Sequence, residues 1–213
     1  MKTDELIRML STNVEPVRRY AVEKKIGQAL LAGTLISLLL LIVIYGLRPD
    51  LKVVSTTFAF WMKMGVPLAN TVLALLFIIP LAQPGKRSVM HYWLLGIPVA
   101  ILWLWAIITW VSSDPGEHSE LLWGKTWRVC IMNISFLALP VGIATFKALQ
   151  TLAPTRPALT GAMAGWLAGG IGASVYALHC PEMAAPFLAV WYVLGMLLPS
   201  ALMAYWGHRS LRW

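Results

Sequence analysis

The sequence predicts an all-α, polytopic integral membrane protein with six transmembrane helices and both termini in the cytoplasm. Three observations carry this expectation. Of 213 residues, 59% are hydrophobic and only 12% charged, about half the charged share of an ordinary soluble domain. The apolar residues fall in continuous stretches of roughly 20, the length an α-helix needs to cross about 30 Å of hydrocarbon. The Lys and Arg residues behind the formal charge of +8 sit in short clusters between those stretches. This placement argues against a soluble nucleic-acid-binding domain, and no direct nucleic-acid contact is expected. A soluble enzyme, a disordered tail and a secreted disulfide scaffold are equally disfavoured. Since the stretches lack the alternation of a barrel strand, helices are the remaining way to satisfy the backbone in lipid.

The spans are expected at 27–47, 64–82, 92–111, 129–146, 158–178 and 186–206. Residues 1–26 form a cytoplasmic arm, 27–206 the transmembrane bundle and 207–213 a short cytoplasmic tail. The first span is free of charge and contains SLLLLIVIYG. The second starts after Lys63, which interrupts FAFWMKMGVP and reads as a lysine snorkelling from a helix end. Span five carries Gly161, Gly165 and Gly169, a small-residue ridge that lets helix backbones approach closely. Packing within one chain is the expected use of that ridge, with a homodimer as the alternative. The breakers in LRPD, QPGKR, SSDPGEHSE and APTRP separate successive spans.

Orientation follows from charge. The face bearing the termini holds 12 of the 17 basic residues and 4 of the 9 acidic ones, whereas the other face is neutral. Positive residues are retained in the cytoplasm, which puts both termini there. The long basic stretch before the first span, with no small-residue cleavage site after it, predicts that this span is retained.

Cys130 opens span four and Cys180 lies just past span five, so the topology places both thiols on the outer face. A redox or metal-binding pair is one reading; two small buried hydrophobes in a helix bundle is the other. His118, His179 and Glu182 are nearby in the topology and could serve as auxiliary ligands to a transition-metal ion. Neither CxxC nor HExxH is present, and no cofactor is required. No nucleophile elbow, phosphate loop or dinucleotide fingerprint appears, so the chain is not expected to be an enzyme. A small six-span metal transporter with an outer His/Cys/Glu capture site is the alternative. The missing mid-membrane acid counts against it, because a transported charge needs a partner there.

In the arm, Thr3 can cap a helix whose first turn holds Asp4 and Glu5. Leu6, Ile7, Met9 and Leu10 make a short apolar face suited to a partner's groove or to the anionic leaflet.

Several landmarks recur together: TDELIRML and PVRRY before span one, LRPDL after it, QPGKR, Trp127-x-x-Cys130, RPALTGAMAGWLAG, YALHCPE, VWY and the terminal LRW. In this order the chain resembles the NrsF-type membrane anti-sigma factors, negative regulators of sigma F and related extracytoplasmic-function sigma factors. The resemblance implies a six-helix protein of the bacterial inner membrane that holds a sigma factor inactive at its cytoplasmic face. It implies sigma-factor binding by Asp4, Glu5, Leu6, Ile7 and Leu10, extending to Pro16, Val17, Arg18 and Arg19. It also implies sensing of oxidative or heavy-metal stress through Cys130 and Cys180.

Overall fold

The computed structural model describes residues 20–83 and 91–211, together with 3–5 and 9. Asp4 and Glu5 are helical and exposed; Leu6, Ile7, Leu10, Pro16, Val17, Arg18 and Arg19 lie outside the described residues. Among the described residues there are helices and no strands, and six helices are long and apolar enough to cross a membrane.

Helix α1 (Ala21–Leu40) continues as a π-helical turn over Leu41–Tyr45, followed by a one-turn helix α2 (Leu51–Val54). Next come α3 (Phe58–Leu81), α4 (Gly96–Ser112) with a 3₁₀ turn before it, and the short α5 (His118–Trp123). The chain then forms α6 (Trp127–Gln150), α7 (Pro157–Ala177), α8 (Ala185–Phe187), a second π-helical turn over Leu188–Tyr192, and α9 (Val193–Ser210). The expected spans correspond to α1, α3, α4, α6, α7 and α9.

Helix α7 is the axis of the bundle. Its sequence, PALTGAMAGWLAGGIGASVYA, begins with Pro at the first helical position, where no donor is lost. Its small residues then allow neighbours to close in on several sides. A Cβ added at Gly169 would lie 2.8 Å from Met196 Cα, and one at Gly172 would lie 2.6 Å from the Ile134 carbonyl. Gly161 and Gly165 likewise meet the α9 backbone at Met203 and Pro199. The ridge read in the sequence is thus an intramolecular seam with α9. Nearly all of α7 is buried, whereas α4 turns Ile97, Ile101, Leu104, Ile107, Ile108 and Val111 outward, as a lipid-facing helix does.

Polar residues tie these helices from within. The Ser37 hydroxyl on α1 donates to the Leu137 carbonyl of α6 at 2.7 Å, and Trp166 Nε1 on α7 donates to Asn70 Oδ1 on α3 at 3.1 Å. In hydrocarbon such groups have no water to turn to, so the partner must come from another helix or the same backbone.

Several boundaries depart from the hydropathy reading: α1 already starts at Ala21 and α6 runs on to Gln150. Helix α3 starts at Phe58, where the Thr57 hydroxyl caps the Phe60 amide at 3.4 Å. Lys63 therefore lies within the helix and is 1% exposed; it does not snorkel. Helix α9 runs on to Ser210 and Leu211 is buried, because Gly207 packs directly on the Pro157 carbonyl, 2.6 Å from where a Cβ would sit.

Candidate functional site

The chain leaves α7 at Ala177 and reaches α8 through a loop that carries His179, Cys180, Pro181 and Glu182. This loop lies at the end of the bundle opposite the start of α1, and three other segments hold it.

From the segment after α1, the Arg48 amide donates to the Leu178 carbonyl at 3.2 Å. Arg48 Nη1 donates to the Cys180 carbonyl at 3.2 Å and approaches Met183 Sδ at 3.7 Å. From α3, Lys63 Nζ donates to the carbonyls of Cys180 at 2.6 Å and Glu182 at 2.8 Å. From the turn between α5 and α6, the amides of Lys125 and Thr126 and the Thr126 hydroxyl all donate to Glu182 Oε1, at 2.7, 3.1 and 3.2 Å. The imidazole of His179 meets the Gly46 carbonyl through Nδ1 at 3.0 Å.

The two cations differ in their compensation. Arg48 also forks onto both carboxylate oxygens of Asp50, at 2.7 and 2.8 Å. The hydrogen bond with Asp50 raises the Arg48 guanidinium above its ordinary value, and the same bond from Arg48 holds the Asp50 carboxyl below its own. Lys63 has backbone carbonyls and the face of Tyr192, 5.5 Å from the ring centre. Among the described residues it pairs with no carboxylate.

Both thiols are free and completely buried. Thr126 touches the two residues that carry them: its carbonyl accepts from the Cys130 amide at 3.0 Å, and its hydroxyl is 3.9 Å from Cys180 Sγ. Trp127 packs on Trp123 at 4.8 Å and on Trp191 at 5.4 Å, and Trp191 Nε1 donates to the Leu122 carbonyl. At the same end of the bundle, Tyr45 Oη donates to Asn133 Oδ1 at 3.0 Å, and Asn133 Nδ2 donates to Tyr176 Oη at 3.3 Å. The rings of Tyr45 and Tyr176 flank His179. The two π-helical turns end at Tyr45 and Tyr192, so each wide turn aims a tyrosine into this cluster. Such turns are over-represented at functional sites.

The structure brings Cys180, His179 and Glu182 into one loop, with Cys130 sharing a contact residue, but gives each side chain separate work. His118 stands apart, stacked on Trp110 at 4.1 Å with Nε2 against the Trp110 carbonyl. Among the described residues, no three His, Cys, Asp or Glu side chains are grouped to hold a metal ion. A cleft of about 290 Å³, lined by Glu117, Glu120 and Glu182, gives solvent a route to the Glu182 anchor. The thiols themselves are shut off.

Sequence reasoning missed Arg48, Lys63, Thr126, Tyr45, Tyr176 and Tyr192. For Lys63 a signal was present: an ionisable residue inside an apolar run is by default a functional candidate with a partner. For Thr126 and the tyrosines, residue type and spacing held no such signal.

A family model described as negative regulator of sigma F matches residues 10–213. The chain is 37% identical over its full length, and that of the relative, to a probable anti-sigma-F factor from Azospira oryzae. It is 33% identical, again over the full length of both, to an anti-sigma-F factor from Caulobacter vibrioides. No solved structure matches. A family match over all but nine residues, with two full-length relatives, places this chain in the family of negative regulators of sigma F, as a regulatory protein and not an enzyme.

Proposed function

We propose that this protein is a membrane-bound anti-sigma factor that sequesters an extracytoplasmic-function sigma factor at the cytoplasmic face. It releases that factor when oxidative or heavy-metal stress in the periplasm acts on Cys130 and Cys180. The arm of residues 1–26 supplies the binding surface, through Asp4, Glu5, Leu6, Ile7 and Leu10 with Arg18 and Arg19. The observation that carries the reading is the pair of full-length relatives named as anti-sigma-F factors. The buried thiols support the reading, with the Cys180 loop at the end of the bundle opposite the start of α1.

A signal shifts an equilibrium only by interacting differently with its two states. Here the resting state hides both sulfurs, so oxidation or metal capture requires the Cys180 loop to open. The reacted form then cannot return to the same packing. A transition-metal ion is a signal in this reading and not a resident cofactor.

A sigma-dependent reporter tests it. Cys130→Ser and Cys180→Ser should each abolish induction by oxidant or metal, while deletion of residues 2–20 should free the sigma factor without loss of membrane insertion. Full stress induction in both serine variants would overturn the sensing role, and continued repression by the truncated protein would move the binding surface elsewhere.

A further inference from the structure

Lys63 is a cation buried in the outer part of α3, and it reaches over to the loop on either side of Pro181, with the Cys180 and Glu182 carbonyls at 2.6 and 2.8 Å. The Cys180 carbonyl is shared, since Arg48 Nη1 also donates to it. A carbonyl oxygen has two lone pairs, so displacing the Cys180 backbone strips an acceptor from two elements at once. Arg48 keeps its carboxylate partner Asp50. Lys63 has no such fallback among the described residues, and an ammonium without acceptors in a low-dielectric interior is strongly disfavoured. Lys63 keeps its charge in that state only if the helix carrying it moves until the ammonium meets water or lipid headgroups.

The other end of α3 is connected as well. Two residues beyond its end at Leu81, Gln83 Nε2 donates to Glu23 Oε1 at 3.4 Å. Glu23 stands in the first turn of α1, where the arm enters the bundle. A single helix therefore links the loop of Cys180 to the root of the arm.

We propose that Lys63 is a positioning residue that couples Cys180 to the arm through α3. While the loop is seated, Lys63 holds α3 in register; when a change at Cys180 unseats the loop, the freed ammonium drives α3 to shift and Gln83 releases Glu23. This inference rests on the anti-sigma reading and names the element that transmits its signal.

The test uses the full-length protein in cells carrying the sigma-dependent reporter, with a membrane-impermeant maleimide as a second readout on Cys180. Lys63→Met should raise unstressed reporter activity about tenfold, within the range typical of coupled sites, and make Cys180 label without oxidant. Lys63→Arg should restore repression and thiol burial. Should Lys63→Met fail to accumulate in the membrane on immunoblot, Gln83→Leu decides, because it leaves Lys63 and the loop untouched. It should keep Cys180 unlabelled at rest yet raise unstressed reporter activity, leaving little further induction by stress. Wild-type repression and induction in Lys63→Met, or full induction in Gln83→Leu, would overturn the coupling role. If Cys130→Ser and Cys180→Ser both still respond normally to stress, the sensing reading itself fails. If Cys180→Ser is blind to stress while the two α3 variants behave as wild type, only the coupling role fails.

Discussion

Glu182 is anchored on Thr126: one carboxylate oxygen accepts both the Thr126 amide at 3.1 Å and its hydroxyl at 3.2 Å. With the Lys125 amide as a third donor, the loop carrying Cys180 is pinned to the residue that also contacts Cys180 Sγ. Hydrogen bonds to a charged group contribute about 1.5–3 kcal/mol each. Glu182→Ala should therefore loosen the loop first, seen as faster maleimide labelling of Cys180 in intact cells. Gly124→Ala should act in the same direction. Gly124 has a φ of +52°, and a Cβ there would sit 2.7 Å from Glu182 Oε2.

The α7–α9 seam should tolerate no added bulk. Gly165→Leu or Gly169→Val would drive a branched side chain into the α9 backbone, where overpacking typically costs about 1–3 kcal/mol or more. The expected result is a lower thermal midpoint in detergent and less protein in the membrane, with the size of the particle unchanged. A shift in oligomeric size at unchanged stability would instead assign the ridge to dimerisation.

The Arg48–Asp50 pair predicts a specific acid limb. Burying little of Asp50, the pair acts through a direct bond that lowers the folded carboxyl below its unfolded value. Its stabilisation is present above the unfolded carboxylate value of about 4 and is lost as pH falls through the lower folded one. Arg48 stays charged throughout. The thermal midpoint of the wild type should therefore fall more steeply in acid than that of Asp50→Asn, and the two curves should run parallel near neutrality.

The Tyr45–Asn133–Tyr176 chain gives a fourth test. Tyr176→Phe removes the acceptor of the Asn133 amide and leaves a part-buried donor unsatisfied, at a cost of about 1–3 kcal/mol. Adding Asn133→Leu to it, in a Tyr45→Phe background that removes the hydroxyl donating to Asn133, should recover part of the loss, since apolar side chains need no partner. Equal or greater destabilisation in the combined variant would show that Asn133 acts independently of Tyr176.

Much of this molecule is legible along the chain. The lengths of the apolar stretches forecast the six long helices, and the small residues of span five forecast its tight seam. The alternation of spans also put Cys130 and Cys180 at one end. These features depend on one residue or one helical face at a time, so counting suffices. Lys63 shows where counting stops. A lysine near a helix end in lipid ordinarily reaches outward for water, and its sequence neighbours said nothing else. It is buried because carbonyls more than a hundred residues away arrive within its reach once α3 and α7 pack. The same holds for Thr126 and for His118, which the sequence grouped with His179 but the fold stacked on Trp110. Hydropathy determined how often this chain can cross a bilayer and which residues are apolar enough to do so. Only the tertiary structure decided which carbonyls meet which cations around the thiols, because a hydrogen bond between distant segments depends on how whole helices pack and not on either segment's composition.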